Sequence, residues 1–346
     1  MNPLPQKKPT ILLCDHACHD RTRSFDFFQK LLTSKGFRVF KHRYKRFYRY
    51  GLTKEELAED PVLLYHQFPP GRFRLGHPGH RAVWIPMYDG DWGSKWLWRK
   101  VALWGLPVIA FSRRQYAEAT KARCQRVLPL HYFPDPRDYQ GMRGDPKVLF
   151  LWERGQADFR LIRKLFGPGD FREIILLRHP EDCLQSDSDD DAAFKAYRVT
   201  LCEKPYLPRS EFLELLSRAG VFMAPRLREG IGHPFLEALA MGKVVIAHRD
   251  GTMDEYIQHG VNGWLVDYRH PQPLPVQTIQ ALHASLPDPM PCRKQWESEA
   301  ANVADFLLQT PRLKPLSPFA KAKDFLYNLL MIGEYLCYRM KERMGL

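Results

Sequence analysis

The chain has 346 residues, a formal net charge of +13 and 45% apolar residues. That length supports two domains of ordinary size, each with its own core. The apolar share excludes a disordered chain, and no run reaches the roughly 18 apolar residues that a spanning helix needs. Seven cysteines lie scattered along the sequence, which predicts free thiols. Residues 1–15 lack the apolar core of a secretion signal, so a cytoplasmic location is expected. The excess of Arg and Lys favours an anionic partner, against the ordinary alternative of a solvated basic surface.

In chain order, short apolar runs alternate with longer amphipathic ones. TILLC at 10–14 predicts a buried strand, 25–32 a helix and 37–40 a second strand. VLLYH (62–66), AVWIPM (82–87) and PVIAF (107–111) continue the strands. A helix over 112–122 follows, capped by Ser112, and then RVLPLH at 126–131. FPDPRDYQGMRGDPK at 133–147 is rich in Pro, Gly and Asp and marks a domain boundary. The pattern then restarts, with strands expected at 148–152, 174–177, 199–202, 221–224, 244–247 and 263–266. Helices are expected at 159–165, 209–219 and 234–241.

Such alternation predicts an α/β chain of two Rossmann-like domains with parallel sheets, facing across a cleft. The expected units are an acceptor-side domain at 1–142, a nucleotide-binding domain at 143–305 and an amphipathic tail at 306–346. In the tail, Phe325, Leu329, Ile332, Leu336 and Met340 share a helical face; Asp324, Asn328, Arg339 and Glu342 lie opposite. Two readings stay open: a helix packed on the first domain, or one lying in a membrane interface. KHRYKRFYRY at 41–50 mixes cations with aromatics and suits an anionic membrane surface better than nucleic acid, which is not an expected partner.

CDHACHD at 14–20 follows the first strand, on the edge where such folds bind ligands. Asp15, His16 and His19 are candidates for contact with a substrate, as is His66 at another strand end; a solvated loop is the alternative. Two Cys and two His packed so closely cannot easily wrap one tetrahedral ion, so no metal is expected.

The most informative stretch is PRLREGIGHPFLEALAMG at 225–242. Gly230 and Gly232 permit a tight turn and close backbone approach to a ligand. Pro234 suits the first position of a helix, and Phe235, Leu236, Leu239 and Ala240 give that helix an apolar face. The N–H groups at its start form an anion seat. Glu237 leans back toward that end, where it would accept hydrogen bonds from vicinal hydroxyls. Glu229, on the loop before the turn, would face the group beyond a phosphate. A solvated loop residue and a helix-end charge are the plainer alternatives.

This stretch resembles the retaining GT-B glycosyltransferases of group 1, whose mark is an E-x7-E signature. The resemblance continues through VVIA at 244–247, GTMDE at 251–255 and GVNGWLV at 260–266. It implies a nucleotide-sugar donor held mainly by the second domain. Glu237 would bind the ribose, Glu229 would contact the donor sugar, and the backbone of Gly230, Ile231, Gly232 and His233 would hold sugar and diphosphate. Gly251 and Thr252 sit where the family lines the phosphate pocket, usually with a glycine pair. Arg154 fits the family's arginine at the end of the second domain's first strand. Its lysine is absent, and Arg160 is the nearest substitute. Tyr88 or Asp89 stands where a histidine is usual, which makes Asp89 a candidate base.

The family uses no metal and no cofactor. The implied reaction is retaining transfer of a sugar from a nucleotide-diphosphate donor to a hydroxyl of a glycan, with a lipid-linked acceptor in cell-surface polysaccharide or lipopolysaccharide synthesis expected at the inner membrane face. A nucleotide-sugar epimerase or hydrolase of the same fold, or a non-catalytic basic binding protein, are the alternatives.

Overall fold

The structure, a computed structural model, describes residues 8–17, 19–20, 23–44, 51–67, 78–88, 94–154, 156–178, 190–204, 207–249 and 251–344. The chain forms two compact units, Met1–His131 with Glu297–Leu346, and Tyr132–Trp296. Each contains one six-stranded sheet, and every pairing in both is parallel.

The first sheet contains β1 (Thr10–His16), β2 (Arg38–Tyr44), β3 (Val62–Gln67), β4 (Arg81–Pro86), β5 (Val108–Ala110) and β6 (Val127–Pro129), in the order β2-β1-β3-β4-β5-β6. β1, β3 and β4 are buried almost throughout. Parallel strands covered on both faces read as continuous apolar runs, which is why TILLC, VLLYH and AVWIP were recognisable. Trp84 and Trp98, with ring centroids 5.0 Å apart, centre one side of the core. Ser112 caps the helix Arg113–Lys121 by accepting from the Gln115 N–H at 3.1 Å, as its sequence position predicts. β1 and β2 run further than expected, so Asp15 and His16 lie inside β1 rather than on a loop, opposite Arg43 and Tyr44.

The second sheet contains β7 (Asp145–Glu153), β8 (Glu173–Arg178), β9 (Val199–Glu203), β10 (Ala219–Met223), β11 (Val244–His248) and β12 (Gly263–Val266), in the order β12-β11-β10-β7-β8-β9. From β7 the chain steps to β8 on one side; from β10 it steps to β11 on the other. The carboxyl ends of β7 and β10 therefore flank the point where strand order reverses, the place where open parallel sheets bind ligands.

The division falls earlier than the expected 142/143 boundary, and residues 297–305 join the first unit. Side-chain anchoring explains both shifts. Arg293 Nη1 donates to the Phe133 carbonyl at 3.1 Å, within the second unit. The buried Lys243 Nζ donates to the carbonyls of Met142 (2.6 Å), Ala219 (2.6 Å) and Arg143 (3.3 Å). In the first unit, Glu299 accepts from the His131 N–H at 2.5 Å, and Arg126 donates to the Phe306 carbonyl at 3.3 Å.

The tail forms one long helix, Pro318–Met344, packed beside the helix Lys95–Leu103 of the same unit. It packs by a mixed face, where Met331 joins the core and the Tyr327 ring stacks on Trp96 with centroids 5.8 Å apart, beside several polar contacts. Lys100 Nζ, buried, donates to Asn328 Oδ1 at 2.6 Å and lies 3.4 Å from Asp324 Oδ1. Trp104 Nε1 donates to Asp324 at 2.7 Å, and Ser94 to Glu334 at 2.6 Å. The tail helix is thus part of the first unit.

Candidate functional site

In the second unit, two loops at the strand-order reversal are tied to each other. After β7 the Ala157 N–H donates to the Pro225 carbonyl at 3.1 Å. Gln156 Oε1 accepts from the Leu227 N–H at 2.8 Å. A third loop, after β11, closes on the second. Gly251 lies so near it that a Cβ there would sit 2.8 Å from the Leu227 carbonyl oxygen. The Thr252 hydroxyl donates to the Glu229 carbonyl at 2.6 Å. The residue that departs from the family's glycine pair therefore pins the backbone of the first candidate glutamate.

The helix that follows spans His233–Ala240. Gly232 caps it in the left-handed conformation, φ 65°, with its carbonyl accepting from Phe235 and Leu236 at 3.1 and 3.2 Å. Pro234 is the second helical residue rather than the first, which costs no bond because the opening N–H groups have no intrahelical partner. Among the described residues, the N–H groups of Gly230, Ile231 and Gly232 have no backbone acceptor. His233 stands at the first helical position, its ring 5.3 Å from that of Tyr132.

Glu237 lies one turn in and is buried. Arg209, the first residue of the helix Arg209–Arg218, donates from Nη2 to Glu237 Oε1 at 2.7 Å and reaches Tyr139 Oη at 3.4 Å. Burial pushes the Glu237 carboxyl above the ordinary carboxylate value, although Arg209 and Tyr139 both pull it down. A carboxylate has about four acceptor sites, so one guanidinium bond leaves room for hydroxyl donors. Glu229, mostly buried, has Arg226 Nη1 at 4.0 Å from Oε2. Arg154 lies just beyond β7 with its guanidinium 4.6 Å from the Trp152 ring centroid. Arg160 is on the exposed surface of its helix, bonded to Asp158 at 2.9 Å.

Sequence reasoning missed three features here. Arg209 and Tyr139 complete the surroundings of Glu237. Arg226 sits beside Glu229, and its only signal was its place in PRLRE. Glu153 at the end of β7 accepts from the Phe159 N–H at 2.8 Å and from Arg178 Nε at 2.6 Å. That helix start is thus filled by the chain's own carboxylate, whereas the start at Gly232 is not capped by a side chain.

In the first unit, the strand order reverses between β1 and β3. Asp15 near the end of β1 and His66 in β3 are buried there, and His19 joins them. Asp15 Oδ1 is 2.5 Å from His19 Nδ1 and 2.8 Å from His66 Nδ1. The His66 ring stacks on Phe25, centroids 3.8 Å apart. Burial alone would raise the Asp15 carboxyl, but the His66 charge and the two histidine hydrogen bonds outweigh it and hold it far below the ordinary value. Asp15 therefore contributes stability at neutral pH that is lost as pH falls below about 4. Asp15→Asn is expected to flatten the acid side of the stability–pH curve, read by urea unfolding between about pH 5 and pH 2; an unchanged curve would refute this assignment.

His16 is half-buried, and its N–H donates to Asp15 at 2.7 Å. Tyr88 follows β4, half-buried, while Asp89 lies outside the described residues, as do 45–50 of the basic segment. Asp15, His19 and His66 bring three potential metal-ligand atoms within 4.8 Å. Cys14 takes no part; its Sγ points to the Leu12 carbonyl at 3.7 Å. Arg43 Nη1 lies 3.9 Å from the other Asp15 oxygen.

A solved glycosyltransferase from Rickettsia africae aligns over 95% of this chain and 99% of its own, at 11% identity and a TM-score of 0.52. The Anabaena protein HepE, solved with UDP and glucose, aligns over 95% and 100% at 15% identity and a TM-score of 0.45. The fold is GT-B. Residues 199–302, which carry both glutamates, match the family described as glycosyl transferases group 1. A 65-residue stretch is 42% identical to a sucrose synthase of Melioribacter roseus; it makes up 18% of this chain and only 8% of that relative.

Proposed function

We propose that the chain is a retaining, metal-independent glycosyltransferase using a nucleotide-diphosphate sugar. The observation that carries this reading is the buried Glu237 one turn into a helix whose start is a left-handed glycine, with Glu229 pinned on the loop before it. The helix start and the backbone of Gly230–Gly232 suit a diphosphate, Glu237 suits the ribose hydroxyls, and Glu229 faces the sugar.

In the reaction, the bond from the anomeric carbon to the diphosphate oxygen breaks, and its electron pair leaves with the nucleotide. The acceptor oxygen bonds to that carbon on the face the nucleotide leaves. Its proton passes to the departing phosphate, so no separate base is required, and Asp89 would then be dispensable. Without a metal, the developing charge needs cations and the helix start. Arg154 takes that role, with Arg226, on the loop bonded by Gln156 and Ala157, and Arg160 as further candidates. Gly251 and Thr252 close the phosphate side. Asp15, His16, His19, His66 and Tyr88 belong to the acceptor side. The acceptor is a glycan hydroxyl, on a lipid-linked precursor of a cell-surface polysaccharide or lipopolysaccharide made at the inner face of the cytoplasmic membrane.

The test is thermal unfolding of the wild type with UDP-, GDP-, dTDP- and ADP-sugars, followed by product analysis with the donor that stabilises. One nucleotide class should add about 2.7 kcal/mol at 100 times its dissociation constant. No stabilisation by any donor would refute the reading. Rapid nucleotide release without a glycan would replace it by the hydrolase or epimerase.

A further inference from the structure

Helices of soluble proteins turn their apolar stripe inward. The helix Pro318–Met344 leaves most of its large apolar side chains outward. Asp324, Asn328 and Glu334 face the first unit, because the buried Lys100 and the polar atoms of Trp104 and Ser94 need partners. Phe319, Phe325, Leu326, Leu329, Leu336 and Met340 are each at least half exposed. They are six of the ten large apolar side chains identified as exposed among the described residues, so this surface is concentrated rather than scattered. At about 1.5 Å per residue the stripe runs some 30 Å along the helix.

Charge selects the occupant. Lys321 and Lys323 are exposed and border the stripe on opposite edges. No acidic residue falls within the arc between these edges. An apolar stripe with cationic borders fits the boundary of an anionic bilayer, where apolar side chains enter the acyl region and the cations meet the headgroups. The net charge of +13 adds long-range attraction of the same sign. No helix is long and apolar enough to cross the membrane.

We propose that this outward stripe docks the protein on an anionic lipid surface, with the helix lying in the interface plane. The proposal requires nothing of the donor site, so each can fail without the other.

The test is flotation of the full-length protein with phosphatidylcholine vesicles, with and without about one-third phosphatidylglycerol, at low and high salt. The wild type should float with the anionic vesicles, less so at high salt. A triple substitution, Phe325→Asp, Leu329→Asp and Leu336→Asp, should reduce binding roughly tenfold or more while leaving the unfolding midpoint unchanged. Lys321→Glu with Lys323→Glu, which keeps the stripe, should weaken binding to anionic vesicles selectively and decides the matter if the triple variant is unstable. No flotation of the wild type would overturn the proposal, as would equal binding by either folded variant. A wild-type dimer that the triple substitution dissociates, without vesicle binding, would show that the stripe covers a second copy instead.

Discussion

Glu237→Ala folds and loses the donor. The carboxyl is buried and its ionised form is disfavoured there, so removing it relieves a desolvation cost while taking one bond from Arg209. Arg209 is half exposed and can turn to water. The ligand-free stability should therefore change by about 1 kcal/mol or less, which is the ordinary net worth of one such bond. Donor binding should fall far more. Two hydroxyls bonded to a carboxylate contribute about 1.5–3 kcal/mol each, so a hundredfold or greater loss of affinity is expected. At a donor concentration of 100 wild-type dissociation constants, stabilisation should drop from about 2.7 to about 0.4 kcal/mol. Calorimetric titration against thermal unfolding separates the two effects. A variant that still binds its donor within threefold of wild type would remove Glu237 from the ribose site. Arg209→Ala provides the complementary case. With its nearest cation gone, the carboxyl protonates at still higher pH, so donor affinity should weaken as the solution is made more acidic.

The same pair shows what the sequence could reveal. Glu229 and Glu237 stand eight positions apart around two glycines, and a helix start fixes their relation, so local rules suffice. Arg209 reaches Glu237 across 28 positions, and Asp15 meets His66 across 51. Such meetings depend on strand order, which periodicity does not specify. Asp15 and His19 were visible as residues of the loop expected after the first strand and His66 as a strand end, but their joining at one carboxylate oxygen was not. The strands were legible because parallel strands buried on both faces leave unbroken apolar runs. The helices Lys54–Ala58, Lys95–Leu103 and Val276–Leu282 were not, although helices as short as Phe159–Leu165 were. For Pro318–Met344 the period gave the two faces correctly. It could not give which face turns inward, because that is decided by Lys100, more than two hundred residues away.

Gly232→Ala is expected to damage both fold and site. At φ 65° an L-residue with a Cβ costs about 1–2 kcal/mol. The added carbon would also stand 2.3 and 2.4 Å from two ring carbons of Phe235. That ring is buried and packs near Tyr256, centroids 5.7 Å apart, so it cannot swing into open space. Overpacking of this kind costs about 1–3 kcal/mol. Together the terms give about 2–5 kcal/mol, or on the order of 5–15 °C in unfolding midpoint for a unit of this size. Relief by shifting Phe235 displaces the helix start, and relief by shifting the loop moves Glu229, whose Cβ would lie 3.2 Å away. Either adjustment disturbs the anion seat, so donor stabilisation should fall along with the midpoint. Gly333→Ala is the control, because it adds one methyl to a glycine inside a helix. Nothing lies within 4 Å of its Cβ, and its φ is not in the left-handed region. There the loss of backbone freedom in the unfolded chain dominates, and stability should rise by about 0.4–1 kcal/mol. If Gly232→Ala unfolded within about 1 °C of wild type, the left-handed cap would not be what shapes the donor seat.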